Sequence, residues 1–187
     1  TGDMKYHLGF EGKTKKAQGE IAVSLVPNPS HLEVVNPVLQ GRARALQRTA
    51  DRRVRREQDV VPVVIHGDAA FPGEGIVPET MNLPRLKAYR VGGTIHIIVN
   101  SIDARSTKYA SDVAKGFEVP IIHVNADDAE AAIIAMRIAM AYRDRFSKDF
   151  LVDLGGYRRW GHNEGDEPNF TQPLVYEKVR AHPTPRQ

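Results

Sequence analysis

The chain has 187 residues, 41% of them hydrophobic, which is enough for one domain with its own core and excludes disorder for most of its length. No stretch of about 18 apolar residues occurs, so no membrane span is expected, and the lack of cysteine excludes disulfides and thiolate metal sites. Seven arginines and one acid, Asp51, fall within residues 42–56; this segment carries +6 against a total of +3, so the remainder is −3.

Thr1-Gly2-Asp3-Met4-Lys5 has no signal-peptide character and no initiator methionine, which fits a fragment or a processed chain. Glycines at 2, 9 and 12 mark residues 1–12 as loop, with Lys5, Tyr6 and His7 placed either for function or on a plain surface turn. Residues 20–26 alternate as a strand and end at Pro27 and Pro29. Ser30 and Glu33 have capping-box spacing, which puts His31 in a first helical turn. Residues 34–58 read as mostly helical after Pro37, burying Leu39, Ala43, Leu46 and Ala50. The arginines take the rest of that helix. Without interleaved aromatics they favour a solvated face, or a docking surface for an acidic partner, over nucleic acid.

A strand at 60–66 runs into His66-Gly67-Asp68-Ala69-Ala70-Phe71. A carboxylate at the end of a buried strand, followed by small residues and a helix, suits a metal and a phosphate. Residues 74–90 are helical pieces broken at Pro78 and Pro84, with Leu83 to Tyr89 as the second piece; a strand at 94–99 then ends at Asn100. Residues 101–116 read as an irregular polar loop, 119–124 as a strand and 149–154 as another. Between these strands Asp127-Asp128 caps a helix over 129–146, whose Ile133, Met136, Ile138, Ala139, Met140 and Tyr142 supply apolar surface. Arg143 and Arg145 suit its carboxyl end. A short helix is expected at 173–181.

Four strands separated by helices predict an α/β fold with a mostly parallel sheet flanked by helices. The carboxyl-end loops then carry Asp68, Asn100 and His162, and His31 follows the earlier strand. Asp and Asn oxygens favour a hard cation such as Mg²⁺, which completes its octahedron with phosphate oxygens. The histidines could move protons or bind a carboxylate. No Walker lysine motif is present, which disfavours a P-loop nucleotidase. His66, His96 and His123 lie in or beside strands and read as core or supporting residues rather than catalytic ones.

Gly67-Asp68-Ala69-Ala70-Phe71, with a helix and a strand ending in Asn after it, resembles the metal motif of the thiamine diphosphate fold. Six more stretches narrow the likeness: Gly2–Gly9, Asn28–Glu33, Asp103–Thr107, His123–Asp128, Tyr157–Glu164 and Thr171–Leu174. Together, in this order and nearly end to end, they resemble the decarboxylating component of 2-oxoglutarate dehydrogenases. The resemblance implies a thiamine diphosphate-binding fold, with residues 1–187 forming the Mg²⁺- and diphosphate-binding domain of a longer chain. It implies oxidative decarboxylation of 2-oxoglutarate and succinyl transfer to the lipoyl domain of a partner dihydrolipoyl succinyltransferase, by a homodimer in the bacterial cytoplasm or the mitochondrial matrix. It further implies Asp68, Asn100 and the Ile102 carbonyl as Mg²⁺ ligands, Gly67, Asp68, Ala69, Ala70, Asn100 and Ile102 around the cofactor, and His7, His31 and His162 as active-site histidines. His31 and His7 are assigned to the substrate carboxylates and His162 to the reacting centre.

Two departures stand beside the resemblance. The family carries a second Asn after the one matched by Asn100, followed by a further loop; here the chain passes directly to Ser101-Ile102-Asp103. If that loop is deleted, Asn100 or Ser101 must serve with the Ile102 carbonyl. The family's chains are also several times longer, and the glutamate that activates the cofactor's aminopyrimidine lies in a later domain. Residues 1–187 alone are therefore expected to be inactive. A relative acting on 2-oxoadipate, one methylene longer, and a non-catalytic partner-binding domain that has lost the cofactor loop remain open as alternatives.

Overall fold

The structure, a computed structural model, describes residues 5–16, 19–48, 54–101 and 107–186. After a short helix α1, Lys5–Leu8, two strands, β1 (Phe10–Lys16) and β2 (Gly19–Leu25), form an antiparallel hairpin. β2 was expected within one residue, but β1 falls where glycines pointed to loop. Phe10, Val23, Ile21 and Leu25 share one hairpin face and are all more than half exposed. The opposite face is polar: Arg42 donates to Glu11 and to Ser24 Oγ, each at 2.8 Å, and so ties the hairpin to the next helix.

That helix, α2, spans Val35–Leu46 and is shorter than expected. Pro37 fits its first turn, where the backbone N–H has no helical partner. No capping box forms. Glu33 has φ +64° and turns its carboxylate inward. The buried stripe of α2 is Asn36, Gln40 and Ala43, continued by Gln47, while Leu46 is 58% exposed. Ala50 lies outside the described residues, as do Arg52 and Arg53. Of the other arginines, Arg44 and Arg55 both donate to the Arg90 carbonyl, and Arg55 also pairs with Glu57. Part of the basic segment is thus spent on contacts within the chain.

The second sheet has four parallel strands: β3 (Val63–Gly67), β4 (Ile95–Asn100), β5 (Ile121–Asn125) and β6 (Phe150–Gly155), in the order β3-β4-β6-β5. Val63 pairs with Ile95, Ile95 with Phe150, and Ile121 with Leu151. Strands β4 and β6 are central and read almost continuously buried, as a sheet covered on both faces requires. A short helix α3 (Ala70–Gly73) precedes the stretch expected to be helical, and over 74–90 the chain forms α4 (Ile76–Met81) and a single 3-10 turn, Leu83–Arg85. One core group joins Phe71, Val77, Met81, Ile98 and Leu151 to Ala110 and Ala114. Ala114 belongs to α5 (Asp112–Lys115), a helix inside the stretch read as irregular loop.

The other core group packs Ile95, Phe150 and Val152 against Ala135 and Ala139 of α6 (Ala129–Phe146). This helix has the expected limits because Asp128 Oδ1 accepts from the Ala131 N–H at 2.8 Å. Two of its expectations change. Ile133 and Ile138 are about half exposed. Arg143 is not a solvated C-terminal charge: it is 1% exposed, donating through Nε to the Gly93 carbonyl and through one terminal nitrogen to the Glu57 and Val60 carbonyls, each at 2.9 Å. Gln47 Nε2 reaches the same two carbonyls and that of Val91. Gly93, at φ +94°, permits this closeness, since a Cβ there would lie 2.3 Å from the Lys148 carbonyl oxygen. The last helix, α7, spans Pro173–Ala181, as expected.

Candidate functional site at the carboxyl edge of the parallel sheet

Strands β3 and β4 run side by side, Gly67 opposite Val99, and so deliver Asp68 and Asn100 to neighbouring points on the same edge. Both are buried. Asp68 accepts from the Ser101 N–H at 3.1 Å and faces the Ser101 hydroxyl at 3.3 Å, which closes the end of β4 over the carboxylate. The Asn100 amide nitrogen donates to Asp153 Oδ1 at 3.1 Å. The other Asp153 oxygen accepts from Ser111 Oγ at 2.8 Å and lies 3.0 Å from His123 Nδ1.

A cleft of about 630 Å³ opens at these residues; Gly67, Asp68, Asn100, Ser101, Arg158 and Arg159 are among those that line it. A carboxylate, an amide and two arginines on one cleft suit a ligand that carries both a cation and an anion. A smaller cleft of about 220 Å³ shares Ser101, Tyr157 and Arg158 with it and adds His162. His162 is exposed there, contacts Arg158 through Nδ1, and has its N–H bound to Asp166 at 2.8 Å. His31 is exposed, with Nδ1 3.0 Å from the Leu32 carbonyl, and His7 is half-buried on α1. Neither lines the two clefts. The structure thus puts Asp68 and Asn100 on one cleft and His162 on the adjoining one, and leaves His7 and His31 outside both. Ile102 lies outside the described residues, with Asp103 to Ser106.

Mg²⁺ fits what is present in donor type: Asp68 and Asn100 offer oxygens side by side. Among the described residues no group of three or more His, Cys, Asp or Glu could hold a metal by itself. A cation here would therefore rely on ligand oxygens as well as protein ones.

Beneath the cleft runs a buried polar chain. Glu33 Oε2 accepts from Asn36 at 2.7 Å and meets His66 Nδ1 at 2.6 Å; His66 Nε2 meets His96 Nδ1 at 2.9 Å, and His96 Nε2 lies 3.6 Å from Asp149. Asp149 in turn accepts from the Thr94 N–H at 2.8 Å. His66 and His96 are core residues, in line with the sequence reading. The role of Glu33 was missed because it was read as a cap. Burial, the largest influence, pushes the His66 imidazole below its ordinary 6.5; its hydrogen bond to Glu33 opposes this and the nearby His96 adds to it. The unfolded chain then binds a proton that the folded chain refuses, so stability falls as pH drops through and below 6.5. Equilibrium unfolding between pH 7 and 5.5 is expected to show this slope, at most about 1.4 kcal/mol per pH unit from this residue, and His66→Asn is expected to flatten it.

The fold and the cleft define a class: α/β proteins that bind a ligand at the carboxyl edge of a parallel sheet. The chain belongs to the dehydrogenase E1 component family, whose model matches residues 1–187. It is 55% identical to the 2-oxoglutarate dehydrogenase E1 component of Bacillus velezensis over 196 residues, with 98% of this chain and 21% of that protein covered. Identity is also 55% to those of Bacillus subtilis, over 199 residues, and Bacillus mycoides, over 197, each covering 100% of this chain and 21% of the relative. The chain thus spans about a fifth of the length of the curated relatives it matches. The 199 residues of the Bacillus subtilis match exceed the 187 of this chain, so the relative carries residues with no counterpart here.

Proposed function

We propose that this chain is the Mg²⁺- and diphosphate-binding part of a thiamine diphosphate-dependent enzyme that decarboxylates 2-oxoglutarate and passes the succinyl group to a lipoyl domain of a partner succinyltransferase. The observation that carries the reading is the pairing of Asp68 and Asn100 at the ends of adjacent parallel strands, on a cleft that Arg158 and Arg159 also line. The names of the Bacillus relatives support the substrate. Asp68, Asn100 and the Ile102 carbonyl would hold the cation. Gly67, Ala69 and Ala70 keep side chains out of the way of a diphosphate, and the two arginines oppose its charge. When bound, thiamine diphosphate supplies the electron sink that decarboxylation of a 2-oxo acid requires.

The chain's own groups then orient and protect. Ser101 holds the Asp68 carboxylate in place through its N–H. His162, in the adjoining cleft, is placed to hold a proton or a substrate carboxylate. His7 and His31 are proposed to read substrate carboxylates, although neither lines the two clefts. A homodimer is proposed as well; the exposed Ile133, Ile134 and Ile138 of α6 offer apolar surface for it. The cytoplasm is the proposed location, and no helix among the described residues is long and apolar enough to cross a membrane.

The test is CO₂ release by the intact protein from 2-oxoglutarate and from 2-oxoadipate, with and without Mg²⁺ and thiamine diphosphate. Release from 2-oxoglutarate that needs both additions is the expected result. A folded protein that binds neither addition, or that prefers 2-oxoadipate, would overturn the reading.

A further inference from the structure

Asn100 sits between two groups of opposite demand. On one side is the buried Asp153 carboxylate, 2% exposed; on the other is the cleft edge that it shares with Asp68. A carboxylate can only accept hydrogen bonds, so the amide must turn its nitrogen toward Asp153 and its oxygen away. Asp153 has no freedom to relax this. One oxygen takes the Asn100 amide, and the other is occupied by Ser111 Oγ at 2.8 Å and His123 Nδ1 at 3.0 Å. Its backbone is fixed in β6, where Asp153 pairs with Ile98 of β4 on one side and His123 of β5 on the other.

We propose that Asp153 is a positioning residue that polarises the site: it locks the Asn100 amide with nitrogen inward and oxygen outward, toward the cation held with Asp68. The inference rests on the reading of Asp68 and Asn100 as cation ligands. It explains a choice that cation chemistry alone leaves open. A carboxylate at position 100 would be the stronger Mg²⁺ ligand, yet it would meet Asp153 across a buried 3.1 Å contact with two like charges and no proton between them. An amide satisfies both neighbours at once. The pair is therefore a unit whose order matters: amide at the edge, carboxylate behind it.

Exchanging the two residues is the experiment. In the intact protein, Mg²⁺-dependent thiamine diphosphate binding is measured by titration calorimetry for wild type, Asp68→Ala, Asn100→Asp, Asp153→Asn and the double variant N100D/D153N, with melting temperatures as the fold control. Asn100→Asp is expected to weaken Mg²⁺-dependent binding about tenfold or more. The double variant is expected to recover to within roughly threefold of wild type, because its amide at position 153 can donate to its carboxylate at position 100 and accept from Ser111. Asp153→Asn alone should lose less than Asn100→Asp, since one amide orientation still accepts from Asn100. If Asp68→Ala is severe but Asn100→Asp binds like wild type, or the double variant is no better than Asn100→Asp, the proposal falls and the cation site stands. If Asp68→Ala leaves the Mg²⁺ dependence unchanged, both fall. Recovery of binding in the double variant is not what a merely structural role for Asp153 would give.

Discussion

Replacing Asp68 by alanine in the intact protein is expected to remove Mg²⁺-dependent thiamine diphosphate binding, a loss on the order of a hundredfold or more in affinity, or about 2.7 kcal/mol. Among the described residues at the carboxyl ends of β3 and β4, Asp68 alone carries a full negative charge, and Asn100 offers only a dipole to the proposed cation. The fold should survive. Asp68 stands just past the end of β3, and its described bonds are to Ser101 rather than to the core. Titration calorimetry with Mg²⁺ and thiamine diphosphate, together with a thermal melt, checks both halves. A melting temperature close to wild type with binding intact would remove Asp68 from the site.

The largest effect on stability is expected at Arg143. Arg143→Met keeps the apolar stem and discards the guanidinium that donates to Gly93, Glu57 and Val60. Gln47 still reaches Glu57 and Val60, but the described bonds give Gly93 no replacement donor. Deleting charged hydrogen bonds from a buried position costs on the order of 3 kcal/mol. For a domain of this size that is a fall of roughly 6–12 °C in melting temperature. Arg143→Lys should recover only part of the loss, because an ammonium cannot fork toward separate carbonyls. A melt of Arg143→Met that matches wild type would show that Gln47 alone holds these turns.

What could be read beforehand follows from how each signal is encoded. Helix α6 was legible to the residue because Asp128 caps it locally and its apolar positions recur at helical spacing. The four parallel strands were legible as short apolar runs, with ends displaced by one to three residues. Strand β1 was not, because Gly9 and Gly12 imitate loop while the pairing that makes it a strand lies in β2. The polar stripe of α2 escaped for a similar reason. Gln40 and Gln47 are buried by partners far away in sequence, near Thr94, Glu57, Val60 and Val91, which no local periodicity reveals. At the site, the sequence pointed to Asp68, Asn100 and His162, which share one edge. It could not point to Asp153, to Glu33 as a partner of His66, or to Ser101 as the residue that closes over Asp68, since these roles exist only through contacts with other strands. Arg158 and Arg159 were present in a recognised stretch, yet that they line the same cleft as Asp68 follows only from the folded loop.

The bonds from Arg143 and Gln47 gather just before the amino ends of β3 and β4, while the cleft opens at the opposite ends. Strands of five or six residues put about 17–20 Å between these two rims. Substitutions on opposite rims are then too far apart to feel one another, and their free energies should simply add. The exception runs diagonally through the sheet: His66 lies near the cleft rim, His96 and Asp149 near the other. Any change along that line is felt at both rims. Changes around Gly93 and Val60 should therefore move the melting temperature and leave ligand binding alone, whereas changes along the two histidines should move both.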